Sequence, residues 1–152
     1  MEFIPSPNFW EGRRGQKPTA IVVHMTVGNF ESALSWLTRK QSEVSAHYLI
    51  SKAGRVVQLV DEKNAAWHAG RVDNPTWKLI RKDVNPNLYT IGIEHENEKG
   101  EPMTPAQWRA STALIAEIAE RWAIPIDCDH IVKHRSIFSR KTCSGNGIPM
   151  GS

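Results

Sequence analysis

TAIVVHM, residues 19–25, decides the fold. It is a short, continuous, β-branched apolar run, the composition of a strand covered on both faces, and it reaches His24 near its end. A strand buried on both sides needs helices above and below it. Downstream, Asn29 reads as the N-cap of a helix through about Arg39 that carries Ala33, Leu34, Trp36 and Leu37. SAHYLIS (45–51) and RVVQLV (55–60) flank Lys52-Ala53-Gly54, and a glycine able to take positive φ makes this a hairpin. Residues 61–88 are polar and rich in Asn, Asp, Pro and Trp, and predict a long irregular connection. Loops of that length inside a compact domain are usually functional.

YTIGIEHE (89–96) alternates as a strand, with Ile91, Ile93 and His95 on one side and Gly92, Glu94 and Glu96 on the other. TPAQWRASTALIAEIAERW (104–122) predicts a helix with Thr104 as N-cap, Pro105 at its first position and Gln107 completing a capping box. Trp108, Ile115, Ile118 and Trp122 form its apolar face. HIVKH (130–134) is a last short strand. The order β, α, β-β, loop, β, α, β predicts an α/β fold, a mixed central β-sheet flanked by helices. There are no repeats, and the chain reads as one domain over residues 1–152.

Composition excludes some classes of function. The chain is 40% hydrophobic and 23% charged, and no apolar run approaches the roughly 20 residues of a membrane span. A net charge of +3, with KHRSIFSRK (133–141) the densest basic stretch, gives no phosphate-tracking block, so no nucleic acid is expected. MEFIPSPNF at the N-terminus lacks a basic segment followed by an apolar one, so the expectation is synthesis in the cytoplasm without a secretory signal. The same expectation argues against a disulfide between Cys128 and Cys143 and leaves Cys128 a free thiol.

The other cysteine stands in SIFSRKTCSGNG (136–147), a polar, Gly-rich loop with Lys141 two residues before Cys143 and His134 nine before it. His24, His134 and Cys143 meet the ligand count of a catalytic zinc, three protein donors plus one open position. Read singly, each histidine is more simply a polar residue ending a strand. His130 and His134 are not a chelating pair, because on a strand their rings stand roughly 13 Å apart. Glu94 reads either as a solvated edge carboxylate or as a general base in a partly buried site. The chain has no H-E-x-x-H and no P-C-x-x-C, which argues against unrelated zinc peptidases and deaminases.

IVVHMT, VSAHYLISKAGRVVQLV, AAWHAG, IGIEHEN and the ending H-x8-C with K-T-C, in this order from about Thr19 to Gly147, resemble the zinc-dependent N-acetylmuramoyl-L-alanine amidases. That fold is shared with peptidoglycan recognition proteins. The resemblance implies one zinc ion on His24, His134 and Cys143, with Glu94 as the catalytic carboxylate and Lys141 steadying the oxyanion. It places His68, His47, Trp67 and Asn97 near the substrate. Branches that use a catalytic Tyr carry it where this chain has Ala46, so the resemblance is to the branch that works with Glu, and Tyr48 is a packing residue. The implied substrate is bacterial peptidoglycan, cut between N-acetylmuramic acid and L-alanine. The implied setting is a monomeric phage lysis enzyme released through a holin, with no membrane insertion. A cytosolic muropeptide-recycling amidase and a non-catalytic wall-binding module are the alternatives.

Overall fold

The computed structural model describes residues 1–70, 72 and 75–134. Lys141 and Cys143 lie outside the described residues. Chain order is β1 (Glu2–Phe3), β2 (Phe9–Trp10), β3 (Ala20–Met25), α1 (Phe30–Thr38), β4 (Tyr48–Ile50), β5 (Val56–Gln58), β6 (Ala65–Ala66), β7 (Thr90–His95), α2 (Pro105–Trp122) and β8 (Ile131–Lys133). Six strands form a mixed sheet in the order β1-β5-β4-β7-β3-β8, antiparallel between β4 and β5 and parallel elsewhere. β2 and β6 make a separate antiparallel pair. The α/β reading holds, and the structure adds three two-residue strands too short to carry an alternation signal.

The central strands β3 and β7 lie side by side, with Ile21 opposite Ile91 and His24 opposite Glu94. Strand alternation then separates two chemistries. Ile21, Val23, Ile91 and Ile93 face α2, whose Leu114, Ile115 and Ile118 complete a buried core. Each such side chain contributes about 1.5–3 kcal/mol by leaving water. His24, Gly92 and Glu94 face the other way.

That second face carries two covers. Over β4 and β5, α1 packs Phe30, Ala33 and Leu37 against Leu49 and Val57. Over β3 and β8, the long connection packs Ala69, Trp77 and Tyr89 against Ala20, Val22 and Val132. Arg13 pins this connection from beneath. Its guanidinium donates to the carbonyls of Glu62, Leu88 and Thr90 at 2.8, 3.1 and 3.1 Å, and burial pushes it down to about 10.

The helix ends obey local rules, with two exceptions. Asn29 caps α1 by accepting from the Ser32 amide at 2.9 Å, and Thr104 caps α2 by accepting from the Gln107 amide at 3.0 Å. Gln107 does not complete a capping box. Its side chain is buried and donates instead to the carbonyls of Ile50 and Glu96, at 3.1 and 3.0 Å, where the ends of β4 and β7 need donors. Trp108 is 41% exposed, because the buried stripe of α2 runs one residue to its side, through Gln107, Ser111, Leu114 and Ile118. Among the described residues no helix is long and apolar enough to cross a membrane.

Tyr48 is a packing residue with a polar tip. Its hydroxyl donates to the buried Glu62 carboxylate, which also accepts from Arg121 Nε at 2.8 Å and Trp122 Nε1 at 2.7 Å. Burial would raise the Glu62 pKa, but the hydrogen bonds from Arg121, Tyr48 and Trp122 outweigh it and hold the carboxyl below 4.5. A depressed native pKa stabilises the fold above the unfolded pKa, and that stability is lost as pH falls through the native value. Glu62→Gln is therefore expected to cost about 1–3 kcal/mol at pH 7 in urea unfolding. The difference from wild type should shrink as pH is lowered below about 4.

Candidate active site

The gap between the two covers opens at the C-terminal ends of β3, β7 and β8, where open α/β sheets gather their ligands. His24 is the penultimate residue of β3, Glu94 stands opposite it on β7, and His134 follows β8 with its amide donating to the Val23 carbonyl at 3.0 Å. The rings of His24 and His134 lie 4.4 Å apart, centroid to centroid. The structure thus brings together the two histidines and the carboxylate that the sequence singled out. Among the described residues no three His, Cys, Asp or Glu side chains make a complete metal-binding group.

Hydrogen bonds fix which nitrogen of each imidazole carries its proton. Thr90 Oγ1 has one proton and donates it to the Pro86 carbonyl at 2.7 Å. It must therefore accept from His68 Nε2, 2.9 Å away. Burial keeps His68 neutral, with its pKa well below 6.5, so its Nδ1 bears a lone pair. That lone pair accepts from His24 Nε2 at 2.9 Å. His24 is held neutral by burial and by its histidine neighbours, which leaves the lone pair on Nδ1. His134 Nε2 donates to the Ala69 carbonyl at 2.9 Å, and burial lowers its pKa too. Its lone pair is also on Nδ1.

Glu94 completes this arrangement. Its side chain is 17% exposed and its Oε2 stands 3.9 Å from His24 Nδ1, beyond hydrogen-bond distance. Its Oε1 is buried without a partner. Burial pushes the carboxyl up to about 8. A lone pair facing a carboxylate across that gap calls for a proton or a cation between them. Two neutral imidazoles with fixed tautomers, beside an unsatisfied carboxylate, fit a divalent metal whose remaining donor comes from elsewhere in the chain.

The other expected contacts separate. His68 lies in the site, but its ring is spent on Thr90 and His24. Gly92 makes room for it, since a Cβ there would stand 2.3 Å from His68 Cγ. Asn87 Oδ1 sets its backbone, accepting from the amides of His68 and Ala69 at 3.1 and 2.8 Å. His47 is fully buried beneath it. His47 Nδ1 accepts from the Gly92 amide at 3.1 Å and its Nε2 donates to the Asn64 carbonyl at 2.8 Å, so it is scaffold rather than a substrate contact. Asn97 is likewise spent on its own turn, with the Glu101 carbonyl and the Gly100 amide. Trp67 packs edge-on against Trp10. His95 faces α2 and pairs with Ser111, and His130 pairs with Asp127. Cys128 is not the free thiol expected but is disulfide-bonded. The expectation rested on cellular compartment alone. Thr90, Asn87 and Arg13 escaped the sequence reading. Gly92 carried a usable signal, an isolated glycine inside a strand marking a close approach.

Comparison with known proteins gives a consistent result. The sequence pattern of the N-acetylmuramoyl-L-alanine amidase family matches residues 14–146. The chain is 34% identical over 106 residues to N-acetylmuramoyl-L-alanine amidase A of Achromobacter lyticus, covering 68% of this chain and 52% of that protein. It is 35% identical over 133 residues to AmiD of Escherichia coli, covering 77% of this chain and 45% of AmiD. It thus spans about half the length of these curated relatives. The solved complex of Escherichia coli AmiD with anhydro-N-acetylmuramic acid-L-Ala-D-gamma-Glu-L-Lys superposes with a TM-score of 0.66 at 34% identity, over 79% of this chain and 49% of that one. An endolysin amidase from Clostridium intestinale, at 20% identity and a TM-score of 0.62 over 95% of this chain and 88% of that one, shares the fold.

Nitrogen-detected NMR of the metal-free protein at pH 7 should find His24, His68 and His134 as Nε2–H tautomers. Gly92→Ala should displace the His68 ring, cost about 1–3 kcal/mol in urea unfolding and release the tautomer of His24. An Nδ1–H tautomer at His24 in the wild type would contradict the hydrogen-bond chain.

Proposed function

The chain belongs to the N-acetylmuramoyl-L-alanine amidase family, and from that premise we propose that it hydrolyses the amide between N-acetylmuramic acid and L-alanine in peptidoglycan. The observation that carries this reading is the pairing of His24 and His134, tautomers fixed, with the unsatisfied Glu94 carboxylate. We assign one zinc ion to His24, His134 and Cys143. With two cysteines in the chain, this ligand set requires Cys143 as a reduced thiolate.

When bound, zinc supplies Lewis acidity, polarising a carbonyl and acidifying a water at neutral pH. The remaining work belongs to the protein. Glu94, held in its ionised form where a cation faces it, would take a proton from the attacking water and pass it to the departing amine of L-alanine. Lys141 offers its ammonium to the oxygen that gains charge in the tetrahedral state. His68 touches no reacting atom and acts by holding His24 in one tautomer. A retained carboxylate at position 94 argues against a recognition module that only binds.

Two uses of the reaction follow. One is lysis of the wall by a monomeric phage enzyme made in the cytoplasm and released through a holin. The other is cleavage of small muropeptides. The second is favoured by one observation: AmiD, whose complex holds an anhydro-muramyl tripeptide, is 34% identical to this chain, whereas the Clostridium endolysin at 20% shares only the fold.

The test is release of N-terminal alanine by reduced, zinc-loaded protein, from intact sacculi and from an anhydro-muramyl tripeptide in parallel. Alanine amines should appear without new reducing sugar, and a zinc chelator should abolish their appearance. Glu94→Gln should lower kcat about 10²–10⁴-fold while zinc content stays at one per chain. Folded, zinc-loaded protein that releases no alanine from either substrate would overturn the reading.

A further inference from the structure

Cys128 stands at the opposite end of β8 from the candidate site. It is half-buried in the turn that leads into the strand, and hydrogen bonds fix that turn. Asp127 Oδ1 accepts from the amides of Asp129 and His130, both at 3.0 Å. The Asp129 carbonyl accepts from Trp77 Nε1 at 2.6 Å, and Trp77 stacks on Tyr89. The Ile21 amide donates to the His130 carbonyl at 2.8 Å, which ties the turn to the start of β3. His134 follows the other end of β8, where its ring meets that of His24 near the end of β3. From His130 to His134 the chain advances roughly 13 Å at the rise of a strand.

Cys128 is disulfide-bonded, and among the described residues no cysteine is free. The sequence offers it one partner, Cys143, fifteen residues on. Cys143 is also the sulfur assigned to zinc beside His24 and His134. The two roles exclude each other chemically, because the sulfur that ligates zinc is a thiolate and a disulfide sulfur is not. They also belong to different places. A disulfide keeps its two Cα atoms within about 7 Å, whereas a zinc–sulfur bond of about 2.3 Å puts the sulfur at the far end of β8. Cys143 follows His134 by nine residues, and an extended chain of that length spans up to about 30 Å. The tether is long enough for either partner, and one sulfur cannot serve both.

We infer that Cys143 exchanges between two partners, the zinc ion in the reduced protein and Cys128 in the oxidised one, so that the redox state of this cysteine pair sets whether the candidate site holds its metal. The inference rests on the zinc assignment and adds a regulatory device to it. The exchange balances. A dithiol reductant gives two electrons and two protons to the disulfide, leaves thiols at Cys128 and Cys143, and itself becomes a cyclic disulfide. Cys143 loses its proton as it ligates. In reverse, the Cys143 thiolate attacks a disulfide oxidant and expels one thiolate from it. Cys128 then gives up its proton, displaces the second thiolate from Cys143 and closes the protein disulfide, and the metal departs as the divalent ion.

The test poises the wild-type chain in mixtures of reduced and oxidised dithiothreitol with zinc supplied, then counts thiols and zinc per chain after desalting. The oxidised chain should show no thiol and bind zinc at least about 100-fold more weakly than the reduced chain. Tryptic mapping of the oxidised chain should find Cys128 and Cys143 in one linked pair of peptides. Cys128→Ser and Cys128→Ala should each keep one zinc per chain across all the mixtures, because a single thiol forms no lasting adduct with dithiothreitol. Redox-dependent zinc binding by a chain that releases no alanine would overturn the amidase reading and support the exchange. A reduced chain that binds no zinc would overturn the zinc assignment and the exchange together. Equal zinc binding by the oxidised and reduced chains, or a loss on oxidation that persists in the Cys128 variants, would overturn the exchange alone.

Discussion

A single hydroxyl proton sets the chemistry of this site. Thr90 gives it to the Pro86 carbonyl, so Thr90 must accept from His68, His68 must accept from His24, and His24 must carry its lone pair on Nδ1. Every group in the chain is buried, where an unmade hydrogen bond costs about 1–3 kcal/mol, so the alternative tautomers are disfavoured together. His134 reaches the same state independently, through the Ala69 carbonyl. The result is a pair of neutral imidazoles that each carry the lone pair on Nδ1.

The scaffold exists to hold that chain. Gly92 leaves β7 bare where the His68 ring presses on it. Asn87 fixes the backbone that carries His68, and Arg13 gathers the carbonyls behind it. α2 stabilises the opposite face of the sheet and contributes nothing to the site directly. This division lets one face follow packing rules while the other keeps groups that packing alone would reject, among them the partnerless oxygen of Glu94.

Where a residue's role followed from its own strand or helix, the sequence was readable. The alternation in YTIGIEHE placed His95 toward the core and Glu94 away from it, and the caps at Asn29 and Thr104 stand where composition put them. Roles set by distant partners were not readable. Gln107 serves the carbonyls of Ile50 and Glu96 rather than its own helix, and no local pattern reports that. His47 and Asn97 share motifs with site residues yet are spent on backbone groups. Thr90 looked like any strand threonine, because its importance lies in a carbonyl four residues before it and a ring twenty-two before it.

His24, His134 and Cys143 are proposed to hold one zinc ion in front of Glu94. Zinc-edge X-ray absorption on the reduced, zinc-loaded protein tests it most directly. The account predicts two imidazole nitrogens at about 2.0–2.1 Å and one sulfur at about 2.3 Å, with a light atom completing four-coordination. A zinc shell without sulfur, or with a single imidazole, would contradict it.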